Sequence, residues 1–191
     1  MARRILLGWI AIGWAPVAVA AQASGGVRFE VSVPASVRAE PLTGRIFIGL
    51  APSAEPEPRI AAYNSARQRD ARVPFFAIDV DQLRPGGVAV IDRRAIGFPY
   101  ESLAGLPAGD YYVQAIVNVY TRFARQDGRT VWAHMDQWEG QRWAFSPGNL
   151  YSETARVRVG GRGPQTIRLR PAPHCRTRPD LRAIPVTRPL D

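Results

Sequence analysis

Four side chains in one short segment have the types and spacing to form a binding or catalytic surface. If the segment is an extended strand, all four lie on one face, because side chains alternate across a strand. They are Trp132, His134, Asp136 and Trp138. Two flat indoles beside an imidazole and a carboxylate are typical of a platform for a sugar or an aromatic ligand. Trp143 follows closely and belongs to the same predicted ligand-binding site.

Two other interpretations fit the same residues. In the first, the tryptophans cover the open end of a β-sandwich or an interface with another domain, because indoles bury a large apolar area. In the second, His134 with Asp136, or Asp136 with Glu139, provides a general acid and base for hydrolysis. One histidine beside a carboxylate does not separate these alternatives, and no residue is assigned a catalytic role.

Motifs for other chemistries are missing from the chain. There is no Gly-x-Ser-x-Gly nucleophile elbow, and the glycine-rich run at 160–163 joins two predicted strands rather than opening a helix. Cys175 is the only cysteine, so an intramolecular disulfide and a cysteine-based metal site are excluded. The sequence predicts neither a metal nor a cofactor.

The formal net charge of +9 raises the question of a nucleic-acid partner. All 25 basic residues are arginine, and they are scattered along the chain instead of clustered. A phosphate-binding surface needs a concentrated patch and commonly uses lysine as well. We therefore expect a generic basic surface and no nucleic-acid binding.

Residues 1–23 have the pattern of a secretory signal peptide. Arg3 and Arg4 precede an apolar run from 5 to 20, and Pro16 lies just ahead of small residues that suit a processing site. We predict cleavage after Ala23, which leaves a secreted or periplasmic protein. The run is short for a membrane span, and no cysteine near it could accept a lipid, so no stable membrane anchor is expected.

The rest of the chain predicts an all-β fold. About eight short segments have strand character, separated by turns rich in glycine and proline. They are 27–33, 44–50, 75–80, 88–91, 110–120, 131–138, 152–159 and 165–170. This pattern indicates an antiparallel β-sandwich, immunoglobulin-like in size.

Three further elements are predicted in the connections between these strands. One helical turn is predicted near 61–67, a turn at 126–128, and a glycine-rich hairpin at 160–164. The domain is expected to span 24–170. Residues 171–191 hold five prolines and several arginines without apolar periodicity, so a disordered tail is predicted there.

Several longer runs resemble a known family. They are 75–80, 103–115, 118–120, 134–140 and 146–152. Together they are similar to the β-sandwich that precedes the catalytic domain in secreted bacterial predicted esterases, over roughly residues 27–170. The resemblance implies an α/β-hydrolase-type domain after this module, but the chain ends at Asp191 without the hydrolase serine or its elbow.

The leading hypothesis is therefore an exported, non-catalytic β-sandwich module that binds a glycan or another protein domain through its aromatic face. Two alternatives stay open. One is a secreted hydrolase that uses His134, Asp136 and Glu139, and the other is a truncated remnant of a larger esterase.

Overall fold

The computed structural model describes residues 26–67, 72–134, 142–160 and 163–171. Within these ranges the chain forms ten strands and one α-helix. The strands are β1 (Val27–Ser32), β2 (Leu42–Ala51), β3 (Phe75–Leu83), β4 (Val88–Ile91), β5 (Ile96–Phe98), β6 (Gly109–Ala124), β7 (Thr130–His134), β8 (Leu150–Tyr151), β9 (Ala155–Val159) and β10 (Gln165–Leu169). The helix, α1, spans Pro58–Arg67, and a single 3₁₀ turn spans Leu103–Gly105.

Two sheets pack face to face. The smaller has the order β10-β1-β4, and the larger has the order β5-β3-β2-β6-β7, with β8 and β9 also paired to β6. Apolar side chains of both sheets, among them Phe29, Ile48 and Val117, form one buried core between them. The predicted all-β sandwich is confirmed. The pairing is antiparallel except between β1 and β10, which run parallel.

Strand β2 lies at the centre of the larger sheet and is buried on both faces. Its inner face contributes Ile46 and Ile48 to the core, and its outer face is covered by α1. Gly49 allows this close approach, because a Cβ atom there would lie 2.7 Å from the carbonyl oxygen of Pro58. Burial on both faces explains why this strand is an apolar run without polar alternation.

The prediction of a single helical turn near 61–67 is wrong, because the helix is longer and spans Pro58–Arg67. The helix begins at Pro58, where the missing N–H costs nothing because the first helical turn has no intrahelical acceptor for it. Ala62 and Tyr63 are buried against the sheet. The short side chains on this face, alanine and serine, gave the sequence little apolar periodicity to indicate a helix of three turns.

The glycine-rich connection at 160–164 is not the predicted hairpin. Strand β9 pairs with the first half of β6 in the larger sheet, whereas β10 pairs with β1 in the smaller one. Gly160 and Gly163 both have positive φ, 93° and 98°, as the chain crosses from one sheet to the other. Local sequence marks the bend there, but the partner of each strand is set by contacts far along the chain.

Candidate functional site

Strand β6 continues beyond the sheet that it belongs to. Its pairing with β2 ends at Val119, and from Tyr120 to Ala124 it pairs only with β7. Every residue from 121 to 133 is exposed. We call this two-stranded segment, residues 121–133, the arm. The sequence had predicted that the strand ends at Tyr120, so the arm itself was missed.

The tip of the arm is a tight three-residue turn. The N–H of Arg125 donates to the carbonyl oxygen of Arg129 at 2.8 Å, and the N–H of Gly128 donates to the carbonyl oxygen of Arg125 at 3.0 Å. Gly128 has φ of 77°, a conformation that glycine adopts without steric cost. The Asp127 carboxylate accepts the N–H of Arg129. The turn predicted at 126–128 is confirmed.

Apolar side chains lie on both faces of the arm. On one face Phe123 and Val131 are directly opposite each other and are 37% and 38% exposed. On the other face Trp132 is opposite Arg122 and is 42% exposed. Neither face packs on the sandwich core, so the arm holds large apolar groups in contact with solvent.

The arm is also basic. It carries Arg122, Arg125 and Arg129 against the single carboxylate of Asp127, a formal charge of +2 (three minus one). Arg125 pairs with Asp127 at 3.3 Å. Arg122 and Arg129 form no ion pair among the residues described, although Arg122 donates weakly to the Thr130 hydroxyl at 3.4 Å. Two guanidinium groups are thus available to a partner's carboxylates.

His134 lies at the base of the arm and is buried. Its Nε2 is 3.3 Å from Oδ1 of Asn149, which also accepts the backbone N–H of Val119 at 3.1 Å. Because a carbonyl oxygen only accepts, Nε2 carries the hydrogen of this contact. In the described part of the chain, Nδ1 of His134 and Oδ1 of Asn118 are buried without a hydrogen-bond partner, and the imidazole contacts no carboxylate.

A bidentate ion pair lies near His134, on the same face of the larger sheet. Arg45 is opposite Asn118 on β6, and its Nε and terminal nitrogen each lie 2.7 Å from a carboxylate oxygen of Asp79. The hydrogen bonds from Arg45 lower the pKa of Asp79 below its usual range. Asp79 is mostly exposed, so solvent screening keeps the contribution to stability small.

Because the folded-state pKa of Asp79 is depressed, its stabilising contribution is present above about pH 4 and is lost as pH falls through the folded value. We expect Asp79→Asn to reduce the free energy of unfolding at pH 7 by less than about 1 kcal/mol. The difference from wild type should shrink below pH 4. Urea unfolding at pH 7 and pH 3 measures both quantities, and a difference that grows in acid would contradict this assignment.

Trp143 is not part of the arm. Its indole stacks on Phe47 with ring centroids 4.5 Å apart and an interplanar angle of 9°, and it meets the edge of Tyr63 at 5.5 Å. Only 9% of the residue is exposed. It belongs to a second apolar cluster between α1 and the outer face of the larger sheet, together with Phe47, Ala62, Ile116 and Tyr151.

The structure therefore divides the predicted site. Trp132 and His134 lie on one face of β7, as the alternation predicted, but one is exposed on the arm and the other is buried at its base. Trp143 lies in the second cluster, and the Asn149 side chain contacts both its carbonyl oxygen and the His134 imidazole. Asp136 and Trp138 lie outside the described residues, as does Glu139 of the hydrolase alternative.

Other features of the arm escaped the sequence-based prediction. Val131 and Ala133, on the face of β7 opposite Trp132, are exposed. Phe123, Arg122 and Arg129 were not singled out at all. One signal could have found them: the Asp127-Gly128 turn joins two segments of matching length, 120–124 and 130–134, that contain neither glycine nor proline.

No group of three histidine, cysteine, aspartate or glutamate side chains in the described part of the chain could hold a metal ion. No helix in that part is long and apolar enough to span a bilayer.

Comparison with protein families, with curated proteins and with solved structures finds no match to this chain. The resemblance to the front domain of secreted predicted esterases thus stays a prediction from the sequence.

Proposed function

We propose that this chain is an exported, non-catalytic β-sandwich module that docks onto a partner protein through the arm. The observation that carries the proposal is the exposure of Phe123, Val131 and Trp132 on a two-stranded ribbon that leaves the sandwich. Large apolar groups exposed together mark interaction sites, and tryptophan and arginine are the residues most enriched where binding energy concentrates.

A protein partner suits the arm better than a glycan. A sugar platform would gain from two indoles on one accessible surface, but Trp143, one candidate for the second indole, is buried against Phe47. The arm instead combines apolar side chains on both faces with the guanidinium groups of Arg122 and Arg129, which form no ion pair within the described ranges. A protein interface has this composition, with an apolar centre and charged groups at its rim.

Two parts of the proposal rest on the sequence. Export follows from the signal-peptide pattern at residues 1–23. The accessory role follows from the similarity of residues 27–170 to the sandwich that precedes an esterase domain. On this proposal the partner is a protein of the cell envelope or the exterior.

Site-directed photo-crosslinking tests the docking proposal. A photoreactive amino acid replaces Val131 on the arm, and the matched control replaces Val88, which is 52% exposed on β4 of the smaller sheet. After irradiation in the native host, position 131 should form a discrete adduct with another protein, identified by mass spectrometry. Trp132→Ala in the same chain should reduce that adduct at least about tenfold, as for loss of a central anchor.

Position 88 should give no adduct of the same mass. Equal adducts at both positions, or none at position 131 from a folded and exported chain, would reject docking through the arm. A partner that is then found is purified and its affinity is measured with the wild-type and Trp132→Ala chains.

A further inference from the structure

Among the described residues, no strand pairs with the edge of β7 that faces away from β6, and backbone groups form an outward row along that edge. The hydrogen bond from Arg125 to Arg129 makes these two residues a hydrogen-bonded pair of the ribbon. In an antiparallel ladder such pairs alternate with pairs whose N–H and C=O groups point away from the partner strand. The register then makes Phe123–Val131 a hydrogen-bonded pair, and it turns the backbone groups of Thr130 and Trp132 outward.

A second observation agrees with this assignment. The backbone N–H of Val119 donates to Asn149, and that of Ala115 donates to Ser152, both on the side of β6 where β7 and β8 lie. The backbone N–H and C=O groups of odd-numbered β6 residues therefore point towards β7. By the register, the same groups of odd-numbered β7 residues point back towards β6. The backbone groups of Thr130 and Trp132 then point towards the open edge.

We propose that the partner adds an extended acidic segment as a third strand along this edge of β7. This inference rests on the proposed docking function and names the form that the partner takes. An outward row of alternating donors and acceptors is matched only by another peptide strand, the mode called β-strand addition. The +2 charge of the arm selects carboxylates on that strand.

Charge also argues against the other occupants. A second copy would bring its own basic arm against the first, and like charges at an interface disfavour that pairing. Nucleic acid would use the guanidinium groups but not the outward backbone row, and the arm holds only two arginines that lack an ion pair among the described residues. An acidic strand uses both features at once.

The probe is a seven-residue acetylated and amidated peptide in which glutamate alternates with valine. The control peptide has glutamine in place of each glutamate. We expect the acidic peptide to bind the full mature chain in calorimetry, with affinity that falls as salt rises. The glutamine peptide should bind several-fold more weakly.

Two variants at one position separate strand addition from simple charge attraction. Thr130→Pro removes an outward N–H that β6 does not use, and Thr130→Ala removes only the side chain. We expect the proline variant to bind the acidic peptide about tenfold more weakly, as for loss of one or two net backbone hydrogen bonds. The alanine variant should bind within about twofold of wild type.

Amide hydrogen exchange measured by NMR gives a readout that needs no variant. Bound peptide should slow exchange at Thr130 and Trp132 and leave Val131 unchanged, since Val131 already donates to β6. Uniform protection, equal binding by the two Thr130 variants, or no binding of the peptide would overturn strand addition. So would a DNA oligonucleotide that displaces the peptide, or self-association of the free chain through the arm.

The two proposals fail in different ways. If crosslinking at Val131 depends on Trp132 while Thr130→Pro leaves partner affinity unchanged, docking stands and strand addition is wrong. If the peptide binds as expected but no protein crosslinks in the host, the edge accepts a strand and the proposed docking function is wrong.

Discussion

Replacement of Trp143 by alanine is expected to lower the free energy of unfolding by about 3–5 kcal/mol, the usual cost of removing a buried aromatic side chain. Trp143 stacks on Phe47 and packs edge-on against Tyr63, so its removal leaves a cavity between α1 and the sheet. The backbone carbonyl of Trp143 also accepts the side-chain N–H of Asn149 at 2.9 Å. Urea unfolding followed by circular dichroism measures the loss.

Trp132→Ala is the matched control for that experiment. Trp132 is 42% exposed on the arm and lies outside both apolar clusters. Its replacement should change stability by no more than about 0.5 kcal/mol, as for other surface substitutions. Similar destabilisation by both variants would mean that the arm packs on the fold and would remove the basis for docking. For partner binding, by contrast, Trp132→Ala should have the larger effect of the two variants.

Gln114→Leu is expected to have the second largest effect on stability, a loss of about 2–4 kcal/mol summed over the groups left unpaired. Gln114 is fully buried on β6 below the start of α1. Its Oε1 accepts the backbone N–H of Arg59 at 3.2 Å, and its Nε2 donates to the Glu57 carboxylate at 2.9 Å and to the Ser152 carbonyl at 3.0 Å. Leucine is similar in size but satisfies none of these groups.

This residue ties three parts of the chain together. Glu57 also pairs with the Arg59 guanidinium at 3.0 Å, and Arg59 lies over the Tyr151 ring at 4.5 Å. A leucine at position 114 therefore weakens the attachment of α1 and of the segment after β8 at the same time. Gln126→Leu, at the exposed tip of the arm, is the control and should be nearly neutral in the same unfolding measurement. A neutral result for Gln114→Leu would contradict the network.

The contrast between Trp132 and Trp143 bears directly on function. The sequence places all the tryptophans that follow the predicted cleavage site between 132 and 143, and this closeness predicted one aromatic surface. The structure puts Trp143 into a core and Trp132 on a projecting ribbon. The search for a ligand therefore moves from a joint indole platform to the arm, where the exposed neighbours of Trp132 are arginines and aliphatic or aromatic side chains.

Local features of this protein could be predicted from its sequence. Alternation identified β1, runs of strand character beside turn signals identified β4 and most of β6, and the Asp127-Gly128 pair identified the turn at the tip of the arm. The apolar run of β2 indicated a central strand. These features depend on neighbours within a few residues, through side-chain alternation and glycine conformation, so a linear pattern is enough to reveal them.

Which surfaces are covered could not be predicted from the sequence and depends on the folded arrangement of the strands. Alternation places Trp132 and His134 on one face of β7, but the loss of β2 as a neighbour beyond Val119 leaves one exposed while Asn149 contacts the other. The same limit applies to Gly160, where the bend was visible but the change of sheet was not. The pairing of strands depends on burial and contacts between residues distant in the chain. The spacing of residues within one segment does not reveal these contact energies.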